Sequence, residues 1–267
     1  MNPIQAIILG VVEGLTEFLP VSSTGHLILT SHLLGLEGEA TKTFEVIIQA
    51  GALLAVIGIY RKYILSMWRG LFGRDEDGRK LFLNLVVSFI PAAVFGVGLH
   101  KLIKKFLFGV WPVVFALAAG GLVMVIVDNW LRQRSSNTRG ISSITFKEAL
   151  FIGLAQCLAL WPGTSRAMVT IIAGMFLGLS GTVAAEYSFL LALPTLGMAT
   201  VFDFFQGGGL LLKETGVLAV SCGLISSAVV AALAIRGFIG YLAKRGLALF
   251  GWYRLALAVF FFLLLRA

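Results

Sequence analysis

Long apolar runs separated by short basic segments are the feature that most constrains how this chain can fold. Six runs approach the roughly 20 residues that a membrane-spanning helix requires: 43–60, 81–99, 111–131, 183–203, 216–236 and 250–266. Only 13% of the 267 residues are charged and 58% are hydrophobic, whereas a soluble domain carries roughly 25% charged residues. The sequence therefore predicts an all-α polytopic integral membrane protein with six transmembrane helices.

Two further pairs of apolar segments are too short to span a bilayer comfortably, and each pair is interrupted by a proline. Pro20 interrupts the first pair and Pro162 the second. The four segments are 4–19, 22–35, 148–162 and 165–178. Proline tends to break a helix, and irregular backbone at membrane depth is tolerated only where protein buries it or it lines a wet cavity. We therefore predict two re-entrant helical hairpins.

The order of features in the first half of the chain recurs in the second half. Pro20 is matched by Pro162, and Glu45 is matched by Glu186 at nearly the same offset along the chain. Each half holds one hairpin and three spans, so the second half enters the membrane from the opposite side. We predict one integral membrane domain, 1–267, built as an inverted-topology repeat of 1–140 and 141–267. Sites in such repeats lie where discontinuous helices meet.

The distribution of basic residues predicts the orientation and the class of partner. The net charge is +8, and 13 of the 21 Lys and Arg residues lie in loops 61–80, 132–147 and 236–249. Cytoplasmic loops carry an excess of basic residues, so these loops are expected inside and both termini outside. This pattern favours membrane lipids or an anionic substrate as partners and argues against nucleic acid.

The first hairpin carries a polar motif between two apolar runs, from Glu13 to His26. Glu13 and Glu17 are four positions apart and share one helix face, so they can act as an acid/base pair or hold a divalent cation through hard oxygen ligands. The following residues offer hydroxyls and backbone N–H groups at a predicted helix start, where anions bind well: Ser22, Ser23, Thr24 and Gly25. His26 is a candidate nucleophile or general acid.

The second hairpin supplies a cation beside Gly163, Thr164 and Ser165. These residues form a second anion cradle, meaning a short segment of hydroxyls and backbone N–H groups like that of residues 22–25. The guanidinium of Arg166 can hold a phosphate through two parallel hydrogen bonds. Each charge at membrane depth costs about 2.5–3.5 kcal/mol on insertion scales, so this arginine and the two carboxylates require mutual pairing or a ligand. Two cradles, one arginine and two carboxylates suit a substrate that contains more than one phosphate.

These residues resemble the bacterial undecaprenyl-diphosphatase family, the bacitracin-resistance proteins. The resemblance covers essentially the whole chain and rests on the Glu13–His26 motif, on Thr43-Phe44-Glu45-Val46, on 156–163 and on Ser165-Arg166. It implies an inner-membrane enzyme that hydrolyses undecaprenyl diphosphate to undecaprenyl phosphate and inorganic phosphate, which recycles the carrier lipid for cell-wall synthesis and confers bacitracin resistance. It also implies the same six spans and two hairpins, a dependence on Mg or Ca, and an active site on the periplasmic side.

The motif match assigns expected roles to individual residues. Glu13 and Glu17 take the carboxylate roles, Arg166 holds the diphosphate, and Ser23 or His26 attacks, with water as the third alternative. One departure is visible: the family usually continues Ser-Arg with Ser-Gly, and here Ala167 and Met168 follow, which excludes a catalytic hydroxyl at 167. We expect activity to persist because Ser165-Arg166 is intact.

A different class of function also fits the same pattern. Inverted repeats with broken helices are a transporter architecture, so a membrane transporter or lipid flippase is the alternative. Phosphate release in detergent, where no gradient exists, separates the two. The sequence leaves open the nucleophile, the preferred cation, the lipid length and whether the protein forms a homodimer.

Overall fold

A computed structural model describes residues 1–107, 109–131 and 139–264, with the backbone alone at 100–106 and 131. Every helix or strand element in these ranges is helical. The twelve α-helices are α1 (Pro3–Thr16), α2 (Ser23–Leu33), α3 (Glu39–Ile47), α4 (Gln49–Ile59), α5 (Arg61–Leu71), α6 (Glu76–Phe106), α7 (Val110–Leu131), α8 (Phe146–Gln156), α9 (Arg166–Phe176), α10 (Gly181–Thr215), α11 (Val217–Arg245) and α12 (Ala248–Leu264).

Five segments in the described ranges are long and apolar enough to cross a membrane: Glu39–Ile59, Glu76–Leu99, Val110–Trp130, Gly181–Thr215 and Val217–Arg245. They correspond to the first five predicted spans, and the protein is a multi-pass membrane protein. The sixth predicted span corresponds to α12, which has 17 described residues.

Several predicted helix boundaries were wrong, because the helices continue into amphipathic or polar segments beyond their apolar cores. The connection between the predicted spans 81–99 and 111–131 is mostly helix rather than loop, since α6 runs to Phe106. The predicted loop 61–80 contains α5, and α10 extends to Thr215, well beyond the predicted end at 203. Three basic residues used to predict the orientation, Arg132, Arg134 and Arg266, lie outside the described residues.

Two pairs of short helices stand out among these elements: α1 with α2, and α8 with α9. The first helix of each pair begins with a capping box, Asn2 with Gln5 and Thr145 with Glu148, which satisfies backbone N–H groups that have no intrahelical partner. The second helices begin at Ser23 and Arg166 and each has 11 residues. The offset along the chain from Asn2 to Thr145 equals the offset from Ser23 to Arg166, so the two pairs keep the same register.

Glycines allow the first helix of each pair to lie unusually close to a long helix. A Cβ added at Gly10 of α1 would be 2.4 Å from the carbonyl oxygen of Gly223 on α11. A Cβ added at Gly153 of α8 would be 2.5 Å from the carbonyl oxygen of Ser88 on α6. Small residues at membrane helix interfaces permit this close approach. The two pairs are thereby fixed against the long helices, and their connecting turns meet in the interior.

Candidate active site

A polar cleft of about 140 Å³ lies where the turns of the two short-helix pairs meet. It is lined from the first turn and α2 by Glu17, Ser22, Ser23 and Thr24, and from the second turn and α9 by Trp161, Pro162, Gly163, Ser165 and Arg166. Most of the predicted site residues are therefore brought together, although they come from opposite halves of the sequence.

The two turns present helix N-termini to this cleft through the same unusual backbone geometry. Ser22 precedes α2 with φ 72° and Ser165 precedes α9 with φ 72°. The left-handed region costs a non-glycine residue roughly 1–2 kcal/mol, and such strain is concentrated at functional sites. Because the first N–H groups of a helix lack intrahelical partners, two such starts facing one cleft make it suitable for an anion.

Three side chains from the two turns form one hydrogen-bonded group. Arg166 Nη2 is 3.1 Å from Glu17 Oε1, and Ser23 Oγ donates to Glu17 Oε2 at 2.6 Å. Arg166 Nη1 also donates to the carbonyl oxygen of Ser188 at 2.8 Å. The side chains of Glu17 and Arg166 are only 6% and 10% exposed, so the attraction between them is weakly screened.

Glu13 lies behind the cleft rather than on its surface. It is fully buried, and neither of its carboxylate oxygens has a hydrogen-bond partner. A buried carboxylate without a partner is costly. Among the described residues, no three His, Cys, Asp or Glu side chains form a set that could hold a metal ion. Glu13 and Glu17 fit a divalent cation only as two oxygen donors whose other ligands come from phosphate or water, which is how Mg²⁺ is often held.

His26 does not line the cleft. Its Nδ1 is 2.8 Å from the carbonyl oxygen of Ser22 and its Nε2 is 2.7 Å from the hydroxyl of Tyr253. The two rings are nearly parallel, with centroids 5.7 Å apart. Both ring nitrogens are therefore engaged, and the catalytic role expected for His26 stays a prediction. Gly25 and Thr164 are also absent from the cleft lining and line neighbouring apolar cavities.

Two residues at the site had no assigned role from the sequence. Gln49 lines the cleft at the start of α4, where the helix is interrupted at Ile48, and an amide within an apolar run was the available signal. Arg254 on α12 is completely buried against both turns. The cost of a charge at membrane depth, which drew attention to Arg166, applied equally to this second arginine.

The departure at Ala167 and Met168 falls on the side of α9 away from the cleft. Ala167 is 1% exposed and Met168 is 5% exposed, and neither lines the cleft. The Met168 N–H donates to Ser165 Oγ at 3.3 Å, so the turn keeps a capped helix without the glycine. The loss of a hydroxyl at 167 therefore leaves the Glu17–Ser23–Arg166 group unchanged.

Comparison with known proteins identifies the family. Residues 6–260 match the family model described as bacitracin resistance protein BacA. The chain belongs to the BacA family. Proteins named undecaprenyl-diphosphatase are similar over nearly its full length. The relative from Sorangium cellulosum is 51% identical over 95% of this chain and 83% of its own. The relative from Methylococcus capsulatus is 44% identical over 95% and 91%, and one from Acinetobacter baumannii is 40% identical over 96% and 93%.

This BacA-family chain also has a larger apolar cavity of about 380 Å³ beside the polar cleft. Its walls come from α7, α8 and α9, and they include Phe115, Ala119, Phe151, Met168 and Phe176. Trp161 lines both this cavity and the polar cleft. The polar cleft and the apolar cavity are therefore adjacent, with the Trp161 side chain at their boundary.

Proposed function

We propose that this protein is an undecaprenyl-diphosphatase: it hydrolyses undecaprenyl diphosphate to undecaprenyl phosphate and inorganic phosphate. The observation that carries the proposal is the group formed by Glu17, Ser23 and Arg166 between two helix N-termini. The names of relatives that cover about 95% of the chain support the same activity. Recycling of the carrier lipid for cell-wall synthesis and bacitracin resistance follow from that activity.

The anionic headgroup is recognised by groups that otherwise lack partners. The Nε of Arg166 is buried without a hydrogen-bond partner, and an unpaired buried donor is unfavourable until a ligand accepts from it. Phosphate oxygens would accept from this N–H and from the N–H groups at the starts of α2 and α9, where the helix dipoles favour negative charge. The first isoprene units of the prenyl chain would enter the apolar cavity that begins at Trp161.

The short hydrogen bond between Ser23 and Glu17 suits nucleophilic attack on the terminal phosphorus. Glu17 accepts the Ser23 proton while a bond forms between Ser23 Oγ and phosphorus. The bond from phosphorus to the bridging oxygen breaks, and undecaprenyl phosphate leaves with that oxygen. Water then hydrolyses the phosphoserine to inorganic phosphate. Arg166 and the helix N–H groups stabilise the charge on the transferred phosphoryl group. In the alternative, Glu17 deprotonates water directly and Ser23 positions it.

A divalent cation, Mg or Ca, would be held by Glu13 together with Glu17. The unpartnered oxygens of Glu13 and the remaining lone pairs of Glu17 are the donors this chain supplies. When bound there, the cation would neutralise charge on the diphosphate oxygens and favour departure of the lipid phosphate.

We also propose the finer architecture. The α1–α2 and α8–α9 pairs are re-entrant hairpins, and six spans complete two halves, 1–140 and 141–267, of opposite topology. The equal offset of both pairs of helix starts supports the repeat. The excess of basic residues in loops 61–80, 132–147 and 236–249 supports an orientation with these loops on the cytoplasmic side of the plasma membrane. The opening of the cleft to the periplasmic side is what the family resemblance implies. Membrane lipids surround the protein, and a homodimer is compatible with this arrangement.

Phosphate release by the purified protein in detergent tests the function. Wild type is expected to release phosphate from undecaprenyl diphosphate with Mg or Ca and to stop when chelator is added. Glu17→Gln is expected to lower kcat at least about 1,000-fold, because it removes both the general base and the charged partner of Arg166. If Ser23 is the nucleophile, Ser23→Ala is expected to lower kcat about as much. The phosphoserine intermediate that can be trapped in wild type should then be absent from this variant.

Glu186→Gln is the matched control, because it alters a partly buried carboxylate that does not line the cleft, and it should retain most of the activity. No release by well-folded wild type would refute the phosphatase and favour transport. Ser23→Ala with a substantial kcat and no phosphoserine in wild type would assign the attack to water.

A further inference from the structure

Arg254 uses all of its hydrogen-bonding capacity on backbone carbonyls. It lies on α12 and is 0% exposed. Its Nη2 donates to the carbonyl oxygens of Gly163 and Ala116, both at 2.9 Å. Its Nη1 donates to Thr164 at 2.9 Å and to Pro20 at 3.3 Å, and its Nε donates to Leu117 at 3.3 Å. A guanidinium has five N–H donors in a planar fork, and five acceptors surround this one.

These five acceptors belong to three separate parts of the protein. Pro20 is in the first turn, Gly163 and Thr164 are in the second turn, and Ala116 and Leu117 are on α7. The Arg254 side chain therefore connects both turns to each other, to α7 and to its own helix, α12. Hydrogen bonds to a charged donor are stronger than those between neutral groups, so the spacing between the turns depends on this residue.

The same contacts orient the second turn. The carbonyl of Thr164 points at Arg254, and in a trans peptide the N–H of the next residue points the opposite way. The N–H of Ser165 therefore points away from Arg254, and Ser165 lines the polar cleft. The guanidinium is held by carbonyl oxygens, which carry only partial charge, so its positive charge also acts on the nearby cleft through a low-dielectric interior.

We propose that Arg254 is a positioning residue for the diphosphate: it fixes the two turns at the separation that the diphosphate requires, and its uncompensated charge favours the bound anion. The proposal rests on the proposed phosphatase function. It predicts that a lysine cannot replace Arg254, because an ammonium has three donors in a different geometry.

Two variants disturb this contact in different ways. Arg254→Lys keeps the charge and removes the fork. Gly120→Ala keeps the arginine and displaces it, since a Cβ at Gly120 would be 2.4 Å from Arg254 Nη2 and 2.8 Å from Cζ. Gly98→Ala on α6 is the matched control because nothing lies within 4 Å of its added Cβ.

The experiment measures kcat and KM for undecaprenyl diphosphate and the affinity for inorganic pyrophosphate as a competing probe. All variants are assayed well below their Tm. We expect Arg254→Lys and Gly120→Ala to lower kcat/KM between about 10-fold and 100-fold, since small displacements of positioned groups have effects of this size. Both should weaken pyrophosphate binding by at least about 10-fold, and Gly98→Ala should change neither quantity.

The outcomes separate positioning from a purely structural role. Variants that fold, show only a lower Tm and keep wild-type kcat/KM and pyrophosphate affinity would overturn the proposal. Failure of both variants to fold would also overturn it, because Arg254 would then serve the fold itself. If wild type releases no phosphate, the phosphatase function fails, and pyrophosphate affinity alone decides whether Arg254 positions an anion site.

Discussion

The turns of the two short-helix pairs have closely similar backbones but different side chains. Ser22 and Ser165 have the same φ of 72°, with ψ of 94° and 111°, and each precedes an 11-residue helix. At the next position, the first turn has Ser23, which is bonded to Glu17, and the second has Arg166. The backbone geometry is thus present twice, whereas the Glu17, Ser23 and Arg166 side chains are each present once.

The same divergence occurs one helix earlier. When the two helix pairs are matched by their starts, Glu13 corresponds to Gln156, and both are buried with side-chain oxygens that lack partners. An amide can occupy such a place without a charge, while a carboxylate there needs a cation or a proton. Under the proposed mechanism, the first pair supplies the acid/base and cation-binding groups and the second pair supplies the arginine that binds the anion.

The largest effect is expected from replacing the one cleft cation that the second turn provides. Arg166→Lys and Arg166→Met should lower kcat/KM about 1,000-fold or more, a magnitude typical of arginines that act on a transferred phosphoryl group. Phosphate release by purified variants is the measurement. Arg139→Lys is the matched control, since Arg139 pairs with Glu148 at 2.9 Å outside the cleft. Near-normal activity in Arg166→Met would show that the cradles alone hold the diphosphate.

A smaller effect is expected at His26, whose counterpart in the second pair is Val169. His26→Phe should lower kcat less than about 10-fold, because Nδ1 is bonded to the Ser22 carbonyl and Nε2 to the Tyr253 hydroxyl, and general acid/base catalysis typically contributes more than that. Tyr253→Phe removes only the hydroxyl that bonds Nε2 of His26, and it should also lower kcat less than about 10-fold. A loss at His26 as large as that of Ser23→Ala, with Tyr253→Phe unaffected, would mean that the ring turns into the cleft during the reaction.

Sequence reasoning could place the cleft residues because their cost at membrane depth needs no coordinates. That cost predicted that Glu13, Glu17 and Arg166 need mutual pairing or a ligand, and the proline-broken segments indicated two short-helix pairs; that Glu17 rather than Glu13 pairs with Arg166 came from the structure. The offset between the two prolines is slightly shorter than the offset between the helix starts at Ser23 and Arg166, because the second turn is longer between its proline and its N-cap serine. Such a shift is visible only once the helix starts are known.

Other features of the site could not be read from the sequence because they depend on tertiary contacts. The direction of the His26 ring is set by Tyr253, which is 227 residues away. The role of Arg254 depends on carbonyls from three segments, and backbone carbonyls have no sequence signature. The ends of α6 and α10 were misjudged because these helices continue beyond their apolar cores.

The smallest effect concerns the strained serines that the two turns share. Glycine adopts positive φ without penalty, so either serine-to-glycine change should relieve roughly 1 kcal/mol of strain. Ser22 makes no side-chain capping bond, so Ser22→Gly should raise stability by about that amount. Ser165 Oγ caps α9 at the Met168 N–H, and loss of a cap to glycine costs a few tenths of a kcal/mol. Ser165→Gly should therefore gain less.

Thermal unfolding in detergent, followed for both variants and wild type, measures the difference. A higher Tm for Ser22→Gly than for Ser165→Gly would show that only the second serine also works as a cap. Equal shifts would mean that the Ser165 cap contributes nothing, and the two turns would then differ only in the residues that follow them. A fall in Tm for both would show that the serine hydroxyls stabilise the turns by more than the backbone strain costs, which would contradict the strain argument.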